Sequence, residues 1–210
     1  MTHHLTMLRH GQSVANREGI VQGHLDSPLS ELGRQQSEVR AEAWAVEPLR
    51  FDLIIASPLK LASETASILS ARLAVPVELD PAWKERHLGH AQGMKVEAFL
   101  SASRGHPARP PFAPAYEDGE GTWDLYLRAA VAVQAIVRRP PGRFLIVSHG
   151  GILNAALRAI PGLTPGPGSH ARFDLGNCGY AHLSLQADSS WTIHALHNPT
   201  DVSSPDERDP

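Results

Sequence analysis

A single cysteine in 210 residues, Cys178, leaves no partner for an internal disulfide, so the chain must hold together through its core. That usage fits a reducing compartment. An excess of charge of one sign is missing too. The net charge is −3 with His neutral, which excludes a bulk attraction to nucleic acid and requires any anion site to be local. No apolar run approaches the roughly 18–20 residues needed to span a bilayer. The opening MTHHLTMLRH has no apolar core of signal-peptide length. These absences predict a soluble, cytoplasmic protein with neither nucleic acid nor membrane as partner. His3 and His4 have no carboxylate or Cys at ligand spacing beside them, so no metal is expected.

What is present is a hydrophobic share of 42% over a length that fits one globular domain. Leu5–Leu8 reads as a strand that runs straight into Arg9, His10 and Gly11. From Ser30, a plausible N-cap, to about Glu47 the pattern is helical, with Leu32, Val39, Ala43 and Val46 roughly on one face. Phe51–Ala56 is a near-continuous apolar run of the kind buried on both faces of a parallel sheet. A helix over about Leu59–Arg72 and a short Val75–Leu79 segment follow. Phe144–Val147 is the clearest core strand, and Ser148-His149-Gly150-Gly151 leads from it into a helix ending near Ile160. Tyr180–Leu185 and Trp191–Leu196 alternate like late strands.

Strands alternating with helices predict a three-layer α/β/α sandwich with a mostly parallel central sheet and an antiparallel edge strand. Residues 104–121, RGHPARPPFAPAYEDGEG, are too rich in Pro and Gly for regular structure. They lie between helical stretches at about Met94–Ala102 and Thr122–Val137. The domain expected over 1–198 therefore carries a lid insertion at about 94–121, and a flexible tail follows at 199–210.

In such sheets ligands bind at the carboxyl ends of strands, and three of those ends carry polar groups: Arg9-His10, Ser57 and Ser148-His149. Two histidines, an arginine and a helix N-terminus on one sheet edge would make a phosphate site. A neutral imidazole can attack phosphorus while cations and N–H donors stabilise the equatorial oxygens.

The ordered set of residues resembles the histidine phosphatase superfamily, which includes the cofactor-dependent phosphoglycerate mutases. The opening motif Arg-His-Gly-x-Ser/Thr-x-x-Asn is met by Arg9, His10, Gly11, Ser13 and Asn16. Gln22-Gly23, Asp26, Pro28-Leu29, Gly33 and Gln36 follow in register. Ser57, Leu59, Ala62, Thr65 and Ala66 match a second block, Glu85, Gly89 and Gly93 a third, and SHGG a fourth. The resemblance spans about Leu5 to Leu185. It implies that His10 is the nucleophile that becomes phosphohistidine, and that Arg9, Asn16 and His149 hold the phosphoryl oxygens with help from the Gly150 N–H. Glu85 would be the general acid, protonated through burial or through the incoming phosphate. Gln22 and Gly23 lie where relatives touch the rest of the substrate, and Asn177 would sit at the pocket floor. No metal and no cofactor is implied.

One position departs from the pattern. Where the family has its second phosphate-binding arginine, this chain has Leu61. Losing a charge-assisted contact of about 1.5–3 kcal/mol weakens transition-state binding roughly 10- to 150-fold. Arg86, Lys60 and Lys84 are the cations nearest in sequence that could substitute. The expected activity is metal-independent hydrolysis of a small phosphorylated metabolite. A bisphosphoglycerate-dependent mutase and a weakly active or non-catalytic phosphate binder are the alternatives. SHGG and the short insertion without an adjacent arginine pair favour hydrolysis, whereas ERHLGHAQG is the mutase-like form. The spacing does not disclose the substrate, although Arg104, Arg109, Phe112 and Tyr116 of the lid are candidates to face it. Oligomeric state is likewise open, a homodimer being one option.

Overall fold

A computed structural model of the chain describes residues 2–47, 49–103, 113, 114, 116, 118–166 and 171–199. Of the expected lid, residues 104–112, 115 and 117 lie outside that description, Arg104, Arg109 and Phe112 among them. So does the expected tail from residue 200.

The strands β1 (His3–Arg9), β2 (Leu53–Ala56), β3 (Val77–Leu79), β4 (Arg143–Ser148), β5 (Tyr180–Leu185) and β6 (Trp191–His197) form one sheet in the order β3-β2-β4-β1-β5-β6. The pairs β1–β4, β4–β2 and β2–β3 are parallel. β5 runs antiparallel to β1, and β6 antiparallel to β5, so β6 shares the direction of β1. The edge strand β6 thus pairs antiparallel with its neighbour, as expected. The cause is the short turn after Leu185, closed by a bond of 2.9 Å from Gln186 N–H to the Ser190 carbonyl. A turn that tight can join only antiparallel neighbours.

Helices α1 (Val14–Arg17), α2 (Glu31–Val46), α3 (Lys60–Leu73), α4 (Val96–Ser103), α5 (Thr122–Val137) and α6 (Gly150–Ala159) complete the described elements. Alternate residues of each central strand serve opposite faces. Leu5, Met7, Ile55 and Ile146 pack on α5 and α6 through Ala129, Val133, Ile152 and Ala156. Leu8, Ile54, Leu145 and Val147 pack on α2 and α3 through Ala41, Trp44, Ala66 and Leu69. Both faces are covered, as the apolar runs of β2 and β4 require.

Ser30 caps α2 as expected, its hydroxyl accepting from Gly33 N–H at 3.0 Å. The buried stripe is different, however. Gly33, Ser37, Arg40, Ala41 and Trp44 face inward, while Val39 is 64% and Val46 84% exposed. Small residues win because α2 presses on the loop after β1. A Cβ at Gly33 would stand 1.9 Å from the Gln12 carbonyl oxygen, and one at Gly11 would stand 2.3 Å from that of Gly33. Arg40 is tolerated because its guanidinium lies 5.4 Å from the Trp44 ring and 4.8 Å from that of Tyr180. Among the described residues, no helix is long and apolar enough to cross a membrane.

Candidate active site

The parallel strands β2, β4 and β1 end in register, with Ala56 opposite Val147 and Ser148 opposite Arg9. The residues that follow, Ser57, His149 and His10, therefore meet on one edge. His10 is buried and its Nδ1 lies 2.7 Å from the Gly11 carbonyl oxygen. A carbonyl oxygen only accepts, so in the neutral ring Nδ1 carries the proton and Nε2 keeps the lone pair. The backbone here is clamped from several directions. Asn177 Nδ2 donates to the His10 carbonyl at 3.1 Å, and Cys178 N–H reaches those of Arg9 and His10 at 3.1 and 3.3 Å. Gly11 N–H donates to Thr65 Oγ1 at 3.2 Å. Cys178 adopts a left-handed φ of 53° to make this clamp.

The His149 ring lies 5.2 Å from that of His10, centroid to centroid, and its Nε2 lies 2.7 Å from Ser57 Oγ. Burial, reinforced by the positive charge of Arg9 nearby, holds its pKa well below the ordinary imidazole value, so the resting ring is neutral. Its residue caps α6, whose first N–H groups point into the site.

Glu85 already uses part of that helix end. Its carboxylate accepts from Gly151 N–H at 2.9 Å, Ile152 N–H at 3.1 Å and Arg86 N–H at 2.6 Å. The approach depends on Gly151, where a Cβ would stand 2.5 Å from Glu85 Oε1. Three N–H donors favour the ionised carboxylate.

The loop carrying Glu85 hangs on Arg128 of α5. Its guanidinium donates to the carbonyls of Ala82 (2.8 Å), Lys84 (2.7 Å) and Glu85 (3.1 Å). It also grips the Glu120 carboxylate through two bonds of 2.7 and 2.6 Å. His24 Nε2 adds a bond of 2.7 Å to the Glu85 carbonyl. Sequence reasoning missed Arg128, Glu120, His24 and the Ser57–His149 bond. Ser57 was in a recognised block, whereas nothing in the spacing marks the other three.

Arg9 donates from Nη1 to the Leu175 carbonyl at 3.0 Å, and Arg86 from Nε to that of Glu120 at 2.8 Å. Both line a cavity of about 290 Å³ with Gly150 and Gly151. Asn16, Gln22 and Gly23 form a second cluster instead. Ser13 Oγ lies 3.0 Å from Asn16 Oδ1 and 2.9 Å from Gln22 Oε1, and Gly23 packs on the Gln92 amide. None of the three is among the described residues lining that cavity. Leu61 is buried with Leu29, Leu59 and Ile68. Lys60 turns outward to Asp26 at 3.4 Å, so of the three cations considered as substitutes only Arg86 lines the cavity. Among the described residues, no group of three or more His, Cys, Asp or Glu side chains is placed to hold a metal ion.

Known proteins resemble this chain in sequence and in fold. A sequence model described as "Histidine phosphatase superfamily (branch 1)" matches residues 5–199. The glucosyl-3-phosphoglycerate phosphatase of Mycolicibacterium vanbaalenii is 36% identical over 171 residues, 76% of this chain and 74% of that protein. Phosphoglycerate mutase-like protein 4 of Arabidopsis thaliana is 35% identical over 160 residues, 72% of this chain and 68% of that protein. A mycobacterial glucosyl-3-phosphoglycerate phosphatase solved with VO3 superposes with a TM-score of 0.79 at 31% identity, covering 94% of this chain and 100% of that one.

Proposed function

This chain belongs to the histidine phosphatase superfamily and is a phosphomonoester hydrolase, and we propose that it works through a covalent phosphohistidine on His10. The observation that carries the proposal is the 2.7 Å contact from His10 Nδ1 to the Gly11 carbonyl, which leaves Nε2 as the attacking atom. In the first step Nε2 bonds to phosphorus as the phosphorus–oxygen ester bond breaks. Glu85 delivers a proton to the departing alcohol oxygen. In the second step water attacks the phosphohistidine, Glu85 takes up its proton, the nitrogen–phosphorus bond breaks and inorganic phosphate leaves.

Arg9, His149 and the Gly150 N–H stabilise the transferring oxygens, with the Nδ2 end of Asn16 as a further donor. Gln22 and Gly23 shape the approach to that donor through Ser13 and Gln92. Arg86 supplies the guanidinium for which Leu61 makes no provision. The substrate is a small phosphorylated metabolite, with glucosyl-3-phosphoglycerate, named for the relatives, as the first to assay. The buried lone thiol of Cys178 supports a cytoplasmic setting.

Rapid acid-base quench with a labelled monoester tests the mechanism. Label should appear as alkali-stable, acid-labile phosphohistidine at residue 10, and His10→Ala should reduce turnover to background. Glu85→Gln should slow turnover roughly 10²- to 10⁴-fold while leaving vanadate binding largely intact. Hydrolysis that survives in His10→Ala, or label on another residue, refutes the mechanism.

A further inference from the structure

Ser57 stands at the first position past β2 and is 0% exposed. A hydroxyl has one proton to donate and two lone pairs to accept with, and a buried one must place that proton. Its backbone is fixed, because the parallel ladder continues one step beyond the strand: Ser57 N–H donates to the Val147 carbonyl at 3.0 Å. Two groups meet the hydroxyl oxygen. Leu59 N–H lies 3.3 Å from Oγ, and His149 Nε2 lies 2.7 Å from it. A backbone N–H only donates, so toward Leu59 the oxygen accepts. The hydroxyl proton then needs an acceptor, and among the described residues Nε2 is the one it has.

Were Nε2 protonated, Ser57 Oγ would face two donors, and its own proton would be buried without a partner. The arrangement that satisfies every group has Ser57 donating to a bare Nε2, with the ring proton on Nδ1. An imidazolium, with protons on both nitrogens, meets the same obstacle. Burial also keeps the ring neutral, its pKa lying well below the ordinary value. The main chain of His149 is held as firmly as that of Ser57. It follows β4, caps α6, and its carbonyl accepts from Leu153 N–H at 3.0 Å. With Nε2 committed to Ser57, Nδ1 is the ring nitrogen left to meet a ligand, and among the described residues it has no hydrogen-bond partner.

We propose that Ser57 is a positioning residue that fixes the tautomer of His149, so that the ring meets the transferring phosphoryl group as a neutral donor through Nδ1–H. With the proton on Nε2 instead, the ring would turn a lone pair toward the phosphoryl oxygens, and two acceptors repel. The His10 ring, 5.2 Å away between centroids, also carries its proton on Nδ1, for the opposite purpose. On His10 this frees Nε2 to attack; on His149 it supplies the donor. The proposal rests on the reading of the His10 site as the hydrolytic centre.

Long-range proton–nitrogen-15 NMR of the imidazoles reads the tautomer and needs no turnover. In the unmodified enzyme His149 should show a protonated Nδ1 and a bare Nε2, with and without vanadate, its signals assigned by their loss in His149→Ala. In Ser57→Ala this form should give way to a mixture or to the Nε2–H form, and Ser57→Thr should keep it. A protonated Nε2 in the unmodified enzyme, or an unchanged tautomer in Ser57→Ala, would overturn the proposal. Kinetics give an independent check. Removing a preorganised donor costs about 10²–10³-fold in kcat, so Ser57→Ala, whose ring still samples the right tautomer, should lose roughly 10- to 100-fold. Added to His149→Ala, the same substitution should cost nothing further. A full additional loss would mean that Ser57 acts elsewhere, and would overturn the assignment as well. If the unmodified enzyme hydrolyses no monoester, the catalytic reading falls, and the NMR tautomer still decides whether Ser57 sets His149.

Discussion

Arg128 offers the sharpest test of how the acid is held, because it touches neither the nucleophile nor the cavity. It joins α5 to three carbonyls of the 82–85 segment and to the Glu120 carboxylate. The Arg128 side chain is 24% and that of Glu120 14% exposed, so the pair is substantially withdrawn from water. Arg128→Met removes the cation and strands Glu120. Breaking such a pair costs about 3–5 kcal/mol when fully buried, and residual solvent access lowers the expectation to about 3 kcal/mol. Urea unfolding reads this directly.

Catalysis should suffer for a separate reason. Without the three carbonyl bonds the Glu85 backbone is free to shift, and a displacement near 1 Å costs on the order of 100-fold in rate. The double variant Arg128→Met/Glu120→Gln separates the effects. Neutralising the stranded carboxylate should recover most of the stability, whereas kcat should stay low and the acidic limb of the pH–rate profile should remain altered. Recovery of kcat in step with stability would refute Arg128 as a positioning residue. A stability loss below about 1 kcal/mol in the single variant would refute the pairing argument.

Three further outcomes follow from particular contacts. Leu61→Arg places a guanidinium among Leu29, Leu59 and Ile68, so the unliganded variant should lose about 2 kcal/mol or more, regained in part with vanadate, while hydrolysis rises roughly 10-fold. Unchanged turnover would show that this position is not limiting. His149 has a folded pKa below its unfolded value of 6.5, so the unfolded chain binds more protons in acid. Stability should therefore fall as pH drops below about 6.5, His24 and His182 acting in the same direction, and a flat melting midpoint between pH 7 and 5 would contradict this. On α2, Val39→Lys and Val46→Lys should change stability by about 0.5 kcal/mol or less, and Trp44→Ala should cost about 3–5 kcal/mol. The reverse order would restore the face drawn from apolar identity alone.

That helix shows where sequence reading reaches its limit. The strands of the parallel core were legible because burial on both faces leaves near-continuous apolar runs, as in Phe144–Val147, and nothing else in a short segment looks like that. The buried side of α2 was not, because contact with the loop at Gln12 selects for the absence of side chain, and Gly33 and Ser37 carry no hydrophobic signal. Within the site, His10, Arg9, His149 and Glu85 were legible because each follows a strand end or lies within a spaced block. Arg128 and Glu120 were not. Their work is done on backbone carbonyls, which every residue possesses, so no residue pattern in the 82–85 segment announces the partner.

The contacts of Glu85 with α6 bear on how one residue can act as acid and then as base. In the resting site the carboxylate shares the positive end of α6 with the space a phosphoryl group would take beside Gly150. A substrate dianion entering there adds negative charge next to an existing anion. The less costly arrangement is then for Glu85 to take up a proton, which it can share with the ester oxygen. In the proposed mechanism, once the phosphoryl group had moved to His10 and the alcohol had left with that proton, Glu85 would again be a carboxylate held by three N–H groups, the form needed to accept a proton from water. Neutral His149, bonded to Ser57, adds no fixed positive charge that would hold Glu85 ionised through the first step. On the proposed mechanism the substrate itself would set the protonation state of Glu85, and this predicts that vanadate binding takes up a proton from solution. Calorimetry in two buffers of different ionisation enthalpy would measure that uptake, and its loss in Glu85→Gln would locate it.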